Sequence, residues 1–167
     1  RPPWKDSVET GLAAALARKP IPDDLFRLIW QAIKKDPSRA PRGLSILHGA
    51  VHEKRLTACI DGDLSSHIAD QILPTALSME WWLLAGTLLA RSRSTVEALR
   101  AAVAAAPSTK AARKALISSS LSSASPIELV DAAIGVRDPI AMQLAGQEAE
   151  KDRSVLLDFD WMRFEWF

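Results

Sequence analysis

The stretch Ser78–Ala106 reads SMEWWLLAGTLLA, then the basic triplet RSR, then STVEALRAAVAAA. In its first part, apolar residues recur at i, i+3, i+4, i+7 and i+8, which places them on one face of a helix (Trp81, Leu84, Ala85, Leu88 and Leu89). Trp82, Gly86 and Ala90 form a second face that is also apolar. A helix that is apolar nearly all round is buried on both sides, so this stretch predicts a central helix flanked by others.

The bulk composition is that of an ordinary globular domain. The chain has 167 residues, 48% of them hydrophobic and 25% charged, which predicts one domain. A net charge of +1 gives no global electrostatic reason to bind nucleic acid or a membrane. The single cysteine, Cys59, excludes an internal disulfide and is typical of a reducing compartment. We therefore expect a cytoplasmic domain, and the Ala- and Arg-rich usage favours a bacterial source.

Two features at the ends of the sequence bear on its context. No signal peptide opens the chain, and its longest apolar run, Trp81–Ala90, is about half the ~20 residues that a membrane-spanning helix needs. The sequence lacks an initiator Met and stops in mid-pattern at Trp166-Phe167. These features predict that residues 1–167 are a single domain excised from a larger protein.

Apolar periodicity predicts five helices in the N-terminal half: Ser7–Ala17, Asp24–Lys35, Gly43–Arg55, Asp63 or Leu64 to Leu73, and Met79–Ala90. In the second of these, the predicted inward stripe is Leu25, Leu28, Ile29, Ala32 and Ile33. Phe26 and Trp30 lie off this stripe and are expected to contact a second neighbouring element. Pro37 and Pro41 predict a non-helical connector, and Pro74 predicts the end of the fourth helix.

Cap signatures mark the helices of the C-terminal half. Ser94 with Glu97, and Ser125-Pro126 with Glu128, are typical helix starts, as is Asp138-Pro139. Gly135 predicts a C-cap. Further helices are predicted over Thr109–Leu121 and Ser154–Phe167, and no run alternates for long enough to form a strand. The fold prediction is all-α: a compact multi-helix bundle or a short helical-hairpin, solenoid-like array of about 8–10 helices.

All three histidines and the only cysteine lie in one 20-residue window, at His48, His52, Cys59 and His67. His48 and His52 are four residues apart and share a helical face, and Zn²⁺ prefers nitrogen and sulfur ligands. The compact zinc signatures use tighter paired spacings, however, so packing or surface histidines are the favoured interpretation. We expect no cofactor and no metal, with these four residues as the weak candidates.

Other polar patterns are weaker still. Asp61-Gly62-Asp63 with Asp70 suggests paired carboxylates, but the glycine is misplaced for a calcium loop, so a turn is favoured. Ser118-Ser119-Ser120 lacks the context of a nucleophilic serine and predicts a helix end. The glycines are scattered singly, without phosphate-loop spacing. The sequence therefore favours a protein that is not an enzyme.

A basic edge is predicted from the residues that follow the central helix. Between positions 91 and 114, six basic residues face the single acid Glu97, whereas from Ala115 onward four basic residues face nine acidic ones. If helix ends gather them, five of these cations would bind a phosphate backbone or an acidic protein surface: Arg91, Arg93, Lys110, Arg113 and Lys114. The favoured interpretation is that these cations lie on solvent-exposed helix faces and pair with the acidic residues of the C-terminal part of the chain.

The last nine residues hold half of all the aromatics: Phe159, Trp161, Phe164, Trp166 and Phe167. Trp161 and Phe164 are expected to close the core. Trp166 and Phe167 are expected to contact something outside this chain, because aromatic side chains anchor protein interfaces. Through this segment the chain would form a homo-oligomer or bind a partner.

These observations predict a non-enzymatic helical domain that mediates protein–protein contact or regulates a larger cytoplasmic protein. Its partner would be another protein or another domain of the same chain, with no membrane involved. The first alternative is a nucleic-acid-associated domain that uses the basic edge of residues 91–114. The second alternative is a metal-binding or enzymatic domain built around the histidine and cysteine window.

Overall fold

The computed structural model describes residues 21–47, 50–60 and 64–151. Within these ranges the chain forms nine α-helices and one 3-10 turn, without a strand. In chain order they are α1 (Asp23–Lys35), the 3-10 turn (Pro37–Arg39), α2 (Ala40–Ile46), α3 (Ala50–Cys59), α4 (Ser66–Ser78), α5 (Trp82–Ser92), α6 (Thr95–Ala105), α7 (Lys110–Ser120), α8 (Pro126–Val136) and α9 (Pro139–Lys151). The prediction of an all-α, multi-helix bundle is confirmed. The helices predicted over Ser7–Ala17 and Ser154–Phe167 lie outside the described residues.

Helix α5 lies at the centre of the bundle, as its sequence predicts. Leu84–Leu89 is an unbroken run of buried residues, and Trp81, just before the helix, is buried as well. Helices α3, α4, α6 and α7 all pack against α5. Leu84, Leu88 and Leu89 are among the largest fully buried side chains, so this helix contributes much of the burial that stabilises the fold.

The closest approach in the core is the contact between α5 and α7 at Gly86. A Cβ atom on Gly86 would collide with the hydroxyl of Ser119 and would lie 2.6 Å from the carbonyl oxygen of Leu116. Ser119 itself is buried, and its hydroxyl donates to the carbonyl of Ala115 at 2.6 Å, 3.2 Å from the carbonyl oxygen of Trp82. Ser119 therefore does more than stand near the end of α7, because its side chain occupies the space beside Gly86.

Two side chains of α3 hold the segment that leads into α1, and we refer to this pair, His52 and Arg55, as the α3 clamp. The buried backbone N–H of Ile21 donates to Nε2 of His52 at 3.2 Å. Arg55 donates to the carbonyl of Ile21 at 2.8 Å and to the carboxylate of Asp23 at 2.6 Å. The guanidinium of Arg55 also stacks over the ring of Phe26, 4.4 Å from its centroid.

The inward face of α1 differs from the predicted one. Phe26, Trp30 and Ile33 are buried, whereas Leu28 is 68% exposed. The buried set is spaced at i, i+4 and i+7, so it has the same helical periodicity as the predicted stripe. The predicted stripe was wrong at Leu28 and right at Ile33, because period alone cannot decide which of two apolar faces is buried more deeply. The aromatic face buries the larger surface.

The predictions that prolines exclude helical structure were wrong at three positions, although α1 does end before Pro37 as predicted. Pro37 begins the 3-10 turn and Pro41 lies in the first turn of α2, where a missing N–H costs nothing because it has no acceptor. Pro74 lies inside α4 and removes one hydrogen bond. Burial of Ile72, Leu73 and Ala76 on either side of it offsets that loss.

Other boundaries also differ from the predicted ones. The predicted helix Gly43–Arg55 is two helices, because the chain leaves helical geometry at Leu47, which is fully buried. Helix α4 begins after Ser65, whose hydroxyl accepts the N–H of Ile68, and not at residue 63 or 64. Glu80 is left-handed (φ 59°) and belongs to the turn between α4 and α5, so the predicted start at Met79 was wrong.

The cap signatures of the C-terminal half are mostly confirmed. Ser94 and Ser125 accept the N–H groups of Glu97 and Glu128, and the latter pair forms a complete capping box. Asp138 caps α9 by accepting from the N–H groups of Ile140 and Ala141. The C-cap predicted at Gly135 was wrong: α8 continues to Val136 and ends at Arg137, which is left-handed (φ 60°).

A local cap also closes the turn after α1. Asp36 accepts from the hydroxyl of Ser38 at 2.6 Å and from its backbone N–H at 3.2 Å. These hydrogen bonds, led by the hydroxyl, hold the pKa of the Asp36 carboxyl below its ordinary value, and the nearby Arg39 acts in the same direction.

Candidate functional site: a polar cleft between three helices

An open cleft of about 570 Å³ lies between α3, α5 and the C-terminal end of α7. Its lining is Lys54, Thr57, Ala58, Ile60, Leu83, Thr87, Arg91, Ser119, Ser122 and Ser123. The three residues from α5 are four apart, which puts them on one side of that helix. The cleft is thus formed on the central helix, with α3 as one wall and the end of α7 as the other.

Most polar residues of the cleft carry hydroxyl groups, and most of these hydroxyls already donate a hydrogen bond to a backbone carbonyl. Thr57 donates to the carbonyl of Glu53 at 2.8 Å, and Thr87 donates to the carbonyl of Leu83 at 2.8 Å. Ser122 donates to the carbonyl of Ser119 at 2.7 Å. A hydroxyl that donates to its own helix keeps oxygen lone pairs that can accept. The cleft therefore offers hydrogen-bond acceptors to an incoming group.

Among the residues that the structure describes, two cations and no carboxylate line the cleft. Lys54 is exposed, and its ammonium forms no ion pair within residues 21–47, 50–60 and 64–151. Arg91 extends from the last turn of α5, and its Nε donates to the carbonyl of Leu64 at 2.7 Å. The positive groups come from two different helices, so the cleft combines hydroxyl acceptors with cationic donors.

Glu53 fixes the geometry between the α3 wall and α5. One of its carboxylate oxygens, Oε1, accepts from the backbone N–H of Leu83 at 2.9 Å and from that of Leu84 at 3.2 Å. These are free N–H groups of the first turn of α5, where a negative charge is favoured by the helix dipole. Sequence reasoning missed this cap because the carboxylate lies 30 residues from the N–H groups that it serves.

Two of the four weak metal candidates have other hydrogen-bond partners. His52 accepts the N–H of Ile21, and His67 shares a hydrogen bond with Gln71 at 2.8 Å. Cys59 is exposed, and His48 lies outside the described residues. Among the residues that the structure describes, no three His, Cys, Asp or Glu side chains are placed to hold a metal ion. Of the other carboxylates, Asp70 pairs with Arg93, and Asp61 to Asp63 lie outside the described ranges.

Two members of the predicted basic edge form ion pairs with acids of the bundle. Arg93 pairs with Asp70 at 2.8 Å, and Arg113 pairs with Asp138 at 2.9 Å. The side chain of Asp138 is only 1% exposed, so this second pair is largely structural. Lys110 and Lys114, by contrast, are exposed on α7.

The structure places Arg91 and Arg93 near the C-terminal end of α7, whereas Lys110 lies at the start of that helix. Arg93 lines a separate cleft of about 410 Å³ together with Ser120 and Ser123, at the C-terminal end of α7. Lys110 begins the same helix, and at 1.5 Å per residue its start lies about 15 Å from Ser120. Trp166 and Phe167, the predicted aromatic contacts, lie outside the described residues.

No helix in the described ranges is both long and apolar enough to cross a membrane. Comparison with protein-family models, with curated proteins and with solved structures finds no match in any of the three. A function for this chain therefore has to be inferred from the chemistry of the cleft.

Proposed function

We propose that this protein is a non-enzymatic helical domain that binds another protein, or another domain of its own chain, through the cleft between α3, α5 and α7. The observation that carries the proposal is the cleft itself, whose volume of about 570 Å³ is in the range of ligand sites. Its two fixed walls and its mixed polar and apolar lining are what recognition of a partner segment requires. We expect the domain to act in the cytoplasm, which the lone Cys59 supports.

The state of the hydroxyl groups favours binding over catalysis. A nucleophilic Ser or Thr is activated by a base that accepts its proton. In this cleft the hydroxyls of Thr57, Thr87 and Ser122 donate to backbone carbonyls of their own helices, which are not bases. The same hydroxyls serve as acceptors for a ligand without any change in their existing hydrogen bonds.

The nucleic-acid alternative has less support from the cation geometry. Binding a phosphate backbone needs several cations along one track. Arg93 and Arg113 pair with carboxylates of the bundle, and Lys110 lies about 15 Å along α7 from the serines that share a cleft with Arg93. Salt-dependent binding of an oligonucleotide, lost on replacing Lys110 and Lys114 together, would restore this alternative.

Selection of displayed random peptides tests the proposed function. The bait is the wild-type chain, and each enriched peptide is then measured against two variants. Ala58→Trp fills the cleft from α3, where residue 58 is exposed and lines this cleft. Ala104→Trp adds the same side chain at an exposed position of α6 outside the lining and is the matched control.

We expect the enriched peptides to bind Ala58→Trp at least about tenfold more weakly than the wild type, and Ala104→Trp within about twofold of it. Equal binding to the two variants would show that the cleft is not the recognition surface. A selection that enriches nothing above a bait-free control would contradict the proposed function.

A further inference from the structure

We propose that the occupant of the cleft is an acidic segment of the partner, bound in an extended conformation. This inference rests on the proposed function and names the chemistry of the partner. It is carried by two properties of the lining: the sign of its charges and the direction of its hydrogen bonds.

The charges select for carboxylates. Lys54 and Arg91 line the cleft from α3 and α5, and no Asp or Glu of residues 21–47, 50–60 and 64–151 is among the lining residues. The nearest carboxylate along α3, Glu53, is bound to the N–H groups that start α5. A segment with Asp or Glu side chains would gain a charge-assisted contact with Lys54 and would lie near the positive charge of Arg91, whereas a basic segment would meet like charge.

The hydroxyls select for a ligand that also donates hydrogen bonds. Thr57, Thr87 and Ser122 each give their hydrogen to a helix carbonyl, so their oxygens are acceptors. A phosphodiester backbone has oxygen acceptors and no N–H, so it would satisfy the cations and leave these oxygens unmatched. A helical peptide uses its own N–H groups internally. An extended peptide is the ligand that presents backbone N–H groups together with carboxylates.

The apolar part of the lining fits the same ligand. Ala58, Ile60 and Leu83 lie among the polar residues of the cleft. The α3 and α5 sides of the cleft each carry one cation beside apolar residues, so an extended segment would have to present carboxylates together with small apolar side chains. The expected partner segment therefore has acidic residues interspersed with small apolar ones.

Fluorescence anisotropy at low salt with labelled probes tests the inference. The main probe is an octapeptide that alternates glutamate and alanine. One comparison probe replaces each glutamate with glutamine, and another carries N-methyl groups on its alanines, which removes N–H donors while keeping the charge. A single-stranded thymidine octanucleotide supplies negative charge without peptide N–H groups.

We expect the glutamate probe to bind at least about tenfold more tightly than the glutamine probe and at least about fivefold more tightly than the N-methylated probe. The oligonucleotide should bind more weakly than the glutamate probe. Equal affinity of the N-methylated and parent peptides would overturn the extended-backbone part of the inference, and tighter binding of the oligonucleotide would overturn it as a whole.

Charge reversal on the protein locates the binding site. Lys54→Glu should lower the affinity for the glutamate probe at least about tenfold, and Lys54→Gln should lower it by a smaller factor. Lys114→Glu, an exposed lysine of α7 outside the cleft, should change the affinity less than about twofold. Equal losses for Lys54→Glu and Lys114→Glu would mean that the probe senses only net charge, which would refute the inference.

The outcome of the peptide selection separates this inference from the proposed function. Selected peptides that depend on the cleft but are neutral or basic would leave the proposed function standing and refute the acidic occupant. Selected peptides that are acidic but insensitive to Ala58→Trp would refute both.

Discussion

The contact between α5 and α7 and the α3 clamp join pieces of chain in opposite ways. At Gly86 two helices approach so closely that no Cβ fits between them, and the contact depends on shape. The α3 clamp instead reaches Ile21 with hydrogen bonds from His52 and Arg55, and it depends on polar groups having partners. The first contact should fail when volume is added, and the second when a hydrogen-bonding group is removed.

The largest effect is expected for Gly86→Ala. The new methyl group would meet the hydroxyl of Ser119 and the backbone of Leu116, and the backbone cannot move aside cheaply. We expect a loss of about 3 kcal/mol in the free energy of unfolding, measured by chemical denaturation. Adding Ser119→Ala should recover part of that loss, because it removes the nearest obstructing atom.

Gly135→Ala is the matched control, since it makes the same substitution in helix α8, where a Cβ would meet nothing within 4 Å. Alanine favours the helix, so this variant should be more stable than the wild type by about 0.5–1 kcal/mol. If both alanine variants lost the same stability, the cost would come from the substitution itself and not from the close contact.

The next effect is expected for His52→Ala, which deletes one half of the α3 clamp. The buried N–H of Ile21 would lose its acceptor, and we expect a loss of about 2 kcal/mol in the free energy of unfolding. His67→Ala is its control, because His67 is exposed and bonds only within its own helix. Its effect should stay within about 0.5 kcal/mol.

Arg55→Lys tests whether the other half of the α3 clamp depends on the charge of Arg55 or on its planar guanidinium. Lysine keeps the positive charge but cannot reach the carbonyl of Ile21 and the carboxylate of Asp23 with one planar fork. We expect a loss of about 1 kcal/mol, smaller than for Arg55→Ala. An unchanged unfolding midpoint would show that charge alone, and not the fork, holds residues 21–23.

The smallest effect concerns Asp36, which lies at the other end of α1 from the clamped residues. Because its pKa is lowered in the folded state, the carboxylate contributes stability above the unfolded pKa of about 3.9, and this contribution is lost as the pH falls through the lower folded value. The melting temperature of Asp36→Asn should therefore be slightly lower than that of the wild type at neutral pH, and the difference should disappear below about pH 4. A difference that is unchanged at low pH would assign the effect to something other than the charge.

The parts of the fold that follow from local patterns were predictable from the sequence. The apolar faces around Leu84 and Leu88 predict the central helix, and Ser125 with Glu128 predicts the start of α8. What decides between equivalent local patterns was not predictable. Phe26 and Leu28 both lie on apolar stripes of α1, and only the neighbouring helices determine which one is buried.

The candidate site depends even more on distant parts of the chain. The basic edge contained Arg91, which does line the cleft, but nothing near Lys54 in the sequence marks it as a binding residue. Three helices contribute to the cleft without a shared motif. Asp138 was predicted as a cap, whereas its pairing with Arg113 joins residues 25 positions apart that only the tertiary fold brings together. Spacing along the sequence cannot indicate either relation.

The cap that Glu53 provides has a consequence for how the cleft would respond to a ligand. If α3 moved outward, the Glu53 carboxylate would lose its hydrogen bonds to the backbone N–H groups of Leu83 and Leu84 at the start of the buried helix α5. Widening the cleft would therefore also destabilise the core. The cleft should thus be nearly preorganised, and the conformational entropy lost on binding should be mainly that of the ligand. Occupancy would then register as a rise in melting temperature without a change in backbone structure.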